Sequence, residues 1–510
     1  MSINVGLIIT SAIFALLILI ASVYFLVYFQ HPEDKWVAWF PKAIVVLGLT
    51  LAAYNIFLLP LDVANQGGTL ATSGAIPMEK LTLAFYITTC IITVVGVPFT
   101  VFYYEGEDDT DDEEAQTSHK GQLVYAIKWL IPTVIVTAVL IFILWYKLGY
   151  AIIAATRYEA PLHELVSATG NISEELWPTV QDYCTLVGSA KCKASPGKIN
   201  VPVSALIYII AIITAVGWIL FAFFGGAGLF TLPYDCFQSF RNRPRPIKAA
   251  EYAERKKKLG EYAVRLKEVA KDLQDALRQT ARSNGKTFSR RYRSLKAKEA
   301  QFRKNVLFLD YHYRRLEDSY KFQGGNLIWQ ICVLIFGIIG AFISVLWFIQ
   351  ICIYTIPFEV GSSIPAYFLN SFLTSVSKVP VIGIVIYSIF AFYLLGCVVK
   401  GNVKVGMRVF FMTVHPMRMG ETMMNSLVFN VGIILLASLA VAQFCTISFN
   451  RFAQFTASQR MFTTNIGNFA GMKWFYVVLT SLFLAVSVLS MCMNVYKPKR
   501  RNNDRMTFKL

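Results

Sequence analysis

The chain has 510 residues, of which 55% are apolar and only 15% charged, with 39 Phe, 25 Tyr and 9 Trp. Soluble domains carry about 25% charged residues, so this composition excludes a water-soluble protein and predicts an all-α integral membrane protein. A formal net charge of +17 would suit a nucleic-acid binder, but basic residues beside membrane spans are explained by topology and by attraction to anionic membrane lipids, so no nucleic-acid partner is expected.

In chain order, nine apolar runs are long enough to cross a hydrocarbon layer of about 30 Å as helices. They cover residues 5–29, 43–59, 81–104, 123–146, 201–230, 327–354, 379–399, 423–447 and 474–496. Nothing basic precedes the first run, and its apolar core is much longer than that of a signal peptide, so it is read as a span that stays. Trp36, Trp39 and Phe40 follow it, rings suited to the headgroup layer. The second run ends in Leu58-Leu59-Pro60-Leu61-Asp62-Val63. Asp62 is the one acid close to a span's apolar body. It is either a helix terminus wetted by water or a carboxylate at the mouth of a ligand cavity, and it is the candidate ligand-binding residue.

The third run leads into Glu105, Glu107, Asp108, Asp109, Asp111, Asp112, Glu113 and Glu114. These lack the spaced ligands and central Gly of a calcium loop, so they read as a solvated acidic loop or as an electrostatic dock for a basic segment, and neither a metal nor another cofactor is expected. The longest outer segment, 147–200, contains the glycosylation pattern Asn171-Ile172-Ser173. It also holds Cys184 and Cys192, whose spacing permits a small disulfide-closed loop in an oxidising compartment. The other cysteines fall in or beside spans, where burial explains them, and Cys236 at the inner mouth of the fifth span suits palmitoylation. Gly225-Gly226-Ala227-Gly228 allows close helix contact or a break in the helix.

Residues 236–322 form the one long polar interruption. From Arg241 to Lys321 they hold 24 Lys and Arg against 10 Asp and Glu. Apolar positions at Tyr252, Leu259, Tyr262, Leu266, Val269, Leu273 and Ala276 follow coiled-coil spacing. After Ser283-Asn284-Gly285, two further apolar lines step by sevens, one through Phe288, Leu295, Phe302, Leu309 and Leu316, the other through Tyr292, Val306, Tyr313 and Tyr320 and broken only by Glu299. Two helices of roughly 30 to 35 residues joined by so short a turn fold back as an antiparallel hairpin. The alternative is a solvated linker between membrane halves. Arg255, Lys256, Lys257 and Lys258 on the first helix, and Arg290, Arg291 and Arg293 on the second, are the candidate cations for membrane lipids or a cytosolic protein partner.

With the N-terminus outside, inner segments carry 38 Lys and Arg and outer segments 10. This asymmetry predicts an N-terminus outside or lumenal and a cytosolic C-terminus. The chain then divides into a five-span half (1–235), a basic cytosolic hairpin (236–322), a four-span half (323–496) and a basic tail (497–510). Beyond the eighth span, a polar outer loop holds Arg451, Arg460 and several Asn, Gln and Thr. There is no H-E-x-x-H, phosphate loop, G-x-S-x-G or C-x-x-C, so no catalytic residue is assigned and an enzyme is not expected. The span centres contain no Asp, Glu, Lys, Arg or His. Asn55, Gln350, Asn425 and Asn430 are the main polar exceptions and read as interhelical hydrogen-bonding groups.

Five spans, a basic coiled-coil loop, four spans and an outward N-terminus together resemble the LIMR family, the lipocalin-interacting membrane receptors, which includes limb-region-type membrane proteins and a lysosomal cobalamin export branch. The local likeness lies in Leu59-Pro60-Leu61-Asp62-Val63, in Val97-Pro98-Phe99 through Phe102-Tyr103-Tyr104-Glu105, and in Leu232-Pro233. The resemblance implies a multi-span receptor or transport-associated protein of the plasma membrane or of endosomes and lysosomes. The expected function is a receptor or trafficking scaffold with an extracellular or lumenal ligand and a cytosolic partner at the hairpin. The rival is a transporter or export component for a small organic solute.

Overall fold

A backbone in hydrocarbon has no water to bond, so each apolar run must satisfy its own N–H and C=O groups as a helix. The computed structural model describes residues 5–31, 34, 39–66, 76–108, 119–159, 193–243, 247–281, 286–321, 327–377, 379–405, 407–409, 412–414, 417 and 422–496. The N-terminal helices are α1 (Val5–Phe29), α2 (Trp39–Gln66), α3 (Met78–Ile91), α4 (Val97–Asp108), α5 (His119–Leu148), α6 (Ala205–Leu220) and α7 (Gly226–Arg241). Then follow α8 (Ala249–Ala281), α9 (Lys286–Lys321), α10 (Leu327–Gln350), α11 (Ile356–Val360), α12 (Phe368–Val376), α13 (Pro380–Val405), α14 (Met424–Ser448), α15 (Ala457–Gln459) and α16 (Met472–Tyr496). Single π turns at Ile92–Gly96, Phe221–Gly225 and Ile351–Thr355 fuse α3 to α4, α6 to α7 and α10 to α11. Nine helices among the described residues are thus long and apolar enough to cross a membrane, and the protein is an all-α integral membrane protein.

The chain forms two compact units, Met1–Leu232 with Phe342–Pro498 and Pro233–Ala341 with Lys499–Leu510. In the first unit α14 is the axis. It is apolar on every side, so it is stable only with protein all round it. Nearly all its side chains are buried, against α2, α4, α6 and α13. On α5, by contrast, Ile135, Val139 and Phe142 are exposed, as on a helix that faces lipid. Glycines let two helix pairs meet backbone to backbone. A Cβ at Gly228 would lie 1.8 Å from the Cys397 carbonyl oxygen, and one at Gly401 1.9 Å from that of Phe224.

The structure departs from the sequence expectation in two places. α2 does not stop near Leu59 but continues through Pro60 to Gln66, which places Asp62 inside the helix. The segment between α5 and α6 contains a ribbon of β1 (Tyr150–Glu159) and β2 (Lys193–Pro202), antiparallel from Tyr150 opposite Pro202 to Glu159 opposite Lys193, and β2 takes the first residues assigned to the fifth span. β2 reads Lys-Ala-Ser-Pro-Gly-Lys, poor strand chemistry, so only pairing with a distant β1 makes it a strand.

In the second unit α8 and α9 lie against one another, the start of one at the end of the other. The Tyr252 and Tyr320 rings stack 4.2 Å apart, and Arg315 Nη2 donates to the Asn242 carbonyl at 3.1 Å. Leu259, Tyr262, Leu266 and Leu273 of α8 are buried, as are Leu295 and Leu316 of α9. On the other apolar line of α9, Val306 and Tyr313 are exposed, while the half-exposed Tyr320 meets α8 through its ring contact with Tyr252. A helix with one neighbour has room for one buried stripe, and the second line projects elsewhere.

Candidate functional site

The polar segment that follows α14 is shaped by its own hydrogen bonds. Thr456 is the N-cap of α15, its hydroxyl accepting from Gln459 N at 3.1 Å, and Gln459 Oε1 reaches back to accept from Phe455 N at 2.8 Å. This T-x-x-Q pattern is a shifted capping box. Phe455 has a φ of 68°, a left-handed backbone that strains a non-glycine residue. Asp62 completes the cap from α2, its Oδ2 accepting the Ala457 N–H at 2.6 Å. A carboxylate at a helix N-terminus bonds an otherwise orphan donor and opposes the positive end of the helix dipole.

α12 is held over the same end of the bundle. Asn370 Nδ2 and Gln350 Nε2 donate to the Ser448 carbonyl at 3.0 and 2.8 Å, and Thr355 Oγ1 donates to Ser448 Oγ at 3.0 Å. Between α12 and the capped segment lies a polar cleft of about 770 Å³, lined by Ser371, Thr374 and Ser375 of α12 and by Asn450, Arg451, Gln454 and Gln459. The Arg451 guanidinium stacks 3.7 Å over the Tyr367 ring, and among the described residues it makes no ion pair. Arg460, by comparison, pairs with Glu79 at 2.8 Å. A guanidinium fixed on a ring, surrounded by hydroxyl and amide groups, is suited to a carboxylate or phosphate on a ligand.

Of the residues singled out from the sequence, Asp62 is only 1% exposed and serves as a cap on Ala457; it is not a terminus wetted by water. Asn171, Cys184 and Cys192 lie outside the described residues. Arg255 pairs with Glu251 and Lys258 with Glu254, both at 2.6 Å, and Lys256 Nζ sits 5.6 Å from the Tyr252 ring centre. The hydrogen bond from Lys258 and the ammonium charge hold the Glu254 carboxyl below its ordinary value. Lys257 is exposed on the same helix. Arg290, Arg291 and Arg293 lie on α9, and their side chains are outside the described set. No metal-binding group of three or more His, Cys, Asp or Glu occurs among the described residues.

Several buried polar groups are matched across helices. Asn55 Nδ2 donates to Thr89 and Ser438 at 3.0 and 3.1 Å, and Trp218 Nε1 donates to Gln443 Oε1 at 2.8 Å while Gln443 Nε2 donates to the Tyr476 hydroxyl at 2.7 Å. Asn425 bonds Glu105, whereas Asn430 bonds Ser426 within its own helix. At the opposite end of α14, Asp34 takes the part that Asp62 takes for α15, accepting from Met424 N at 2.9 Å and from the Tyr104 hydroxyl at 3.1 Å. Asp34 and the α12 side of the cleft carry no sequence signal, and Arg451 stands out in the sequence only as part of a polar outer loop. Thr456 to Gln459 carried a cap signal, but nothing local joins Arg451 to α12.

Comparison with known proteins bears on the whole chain. The LMBR1-like membrane protein family matches residues 7–299 and 291–496. A LIMR family protein of Dictyostelium discoideum is 36% identical over 98% of this chain and 98% of its own length. One from Oryza sativa is 33% identical over 96% of this chain and 95% of its own, and one from Arabidopsis thaliana 31% over 93% and 92%. No solved structure matches.

Proposed function

The chain belongs to the LMBR1-like, or LIMR, family of multi-span membrane proteins, and on that premise we propose that it is a receptor or transport-associated scaffold that takes an outer or lumenal ligand in the polar cleft. The observation that carries this reading is Arg451, stacked on Tyr367 in an open cleft. The ligand presents a carboxylate or phosphate to that guanidinium, and Asp62, through Ala457, holds the segment that supplies Gln459 to the cleft. On this reading Asn171 bears a glycan and Cys184 and Cys192 form a disulfide in the outward segment. The N-terminus is outside or lumenal, the C-terminus is cytosolic, and the α8–α9 hairpin offers Arg255 to Lys258, Arg290, Arg291, Arg293 and the exposed Val306 and Tyr313 to a cytosolic partner.

The filled interior favours a receptor over the rival transporter. α14 is buried along its length and its polar neighbours bond one another, so a solute path needs these helices to part. A photo-crosslinking side chain at Gln454 of the full protein in cells is the test. A discrete adduct that is lost in Arg451→Ala, with both proteins equally folded, is expected. No adduct at Gln454, or one indifferent to Arg451, sinks the cleft as a ligand site, and release of small organic carboxylates from proteoliposomes holding this chain alone would favour the transporter.

A further inference from the structure

Within the first unit an apolar groove of about 590 Å³ opens between α1, α2 and α13. α13 lines it with Phe392, Leu395, Gly396, Val399, Lys400 and Val403, positions three and four apart that form one face of a helix. α1 lines it with the same spacing between Phe14 and Phe29, and α2 supplies Leu49, Ala52 and Ala53. Small residues keep it open. A Cβ at Gly396 would meet only Leu232 Cδ1, at 3.7 Å, so the space there is not taken by packing.

Its dimensions and its one charge identify an occupant. From Phe392 to Val403 the wall runs about 16 Å at the helical rise, the hydrocarbon depth of one leaflet of a layer about 30 Å thick. Lys400 is the basic residue on the wall, and it sits near the end of α13, where a long cationic chain reaches the interface. We infer that the groove holds an acyl chain of an anionic glycerophospholipid from the bilayer, with the headgroup phosphate at Lys400. The groove shares no residue with the polar cleft, so the two assignments stand or fall separately.

The test uses the full chain, purified in detergent and stripped of lipid, with phosphatidylserine carrying a diazirine in its acyl chain. Adducts are expected in residues 14–29 and 392–403, competed about fivefold better by phosphatidylserine than by phosphatidylcholine. Lys400→Gln should keep the adducts and abolish that preference. Gly396→Leu, and independently Ala53→Leu, should fill the groove and reduce the adducts about tenfold while the melting temperature stays near that of the unaltered protein. If one of these two variants unfolds, the other carries the comparison. Adducts spread over all lipid-facing helices, α5 included, would overturn the inference, as would recovery of a lipid-free dimer with 14–29 protected. Equal competition by the two lipids would remove Lys400 from it.

Discussion

Asp62 shows how one side chain sets the shape of a distant segment. Its carboxylate bonds the Ala457 N–H from within α2, so losing it leaves a buried donor unmet and a helix start without its counter-charge. Asp62→Leu should cost about 1–3 kcal/mol and loosen the cleft wall, read as faster modification of a cysteine placed at Gln454. Asp62→Asn retains an acceptor oxygen and should cost less. Equal modification rates in Asp62→Leu and the unaltered protein would remove the cap from the account. Sequence reading reached Asp62 because an acid beside an apolar run is conspicuous. It placed Arg451 in a polar outer loop but in no site, because the ring that fixes that guanidinium is Tyr367, which lies far away in the chain and in no motif.

At the scale of elements, packing distances decide which substitutions a helix tolerates. Gly228→Ala places a methyl 1.8 Å from the Cys397 oxygen, so α7 and α13 must part; the expected loss is about 1–3 kcal/mol or more, measured as a lower melting temperature. Gly260→Ala, where a Cβ meets nothing within 4 Å, should instead be neutral or slightly stabilising. In the hairpin, Leu266 is buried and Val306 exposed. Leu266→Asp should therefore unfold the isolated segment 241–321 at a cost of several kcal/mol, whereas Val306→Asp should leave its circular dichroism unchanged. The Glu254 carboxyl is held below its ordinary 4.5 by Lys258. A depressed folded value means the pair stabilises α8 above that ordinary value and loses its contribution as pH falls through the lowered one. Helicity of the segment should accordingly decline in acid, and less so in Glu254→Gln.

At the scale of the whole molecule, topology is the property most open to test. A cysteine at Thr374 should react with a membrane-impermeant maleimide from outside intact cells or from the vesicle lumen, and one at Lys257 only after permeabilisation. The reverse pattern would invert the protein in its membrane. The sequence alone determined the number and approximate placement of the nine membrane-spanning helices among the described residues, because about 20 apolar residues in a row have no other stable state in hydrocarbon. Even so, it misjudged the far end of α2, since Pro60 falls where neighbouring helices can cover the freed carbonyl. Tertiary structure alone decided that α14 is the axis and α5 a lipid-facing helix, for both are apolar on all sides and differ only in what surrounds them. It also decided that β2 is a strand, and that Ser371, Arg451 and Gln459 share one cleft. A run of apolar residues reports its affinity for hydrocarbon locally, but a cleft arises from residues joined only when helices pack, and no local pattern records that meeting.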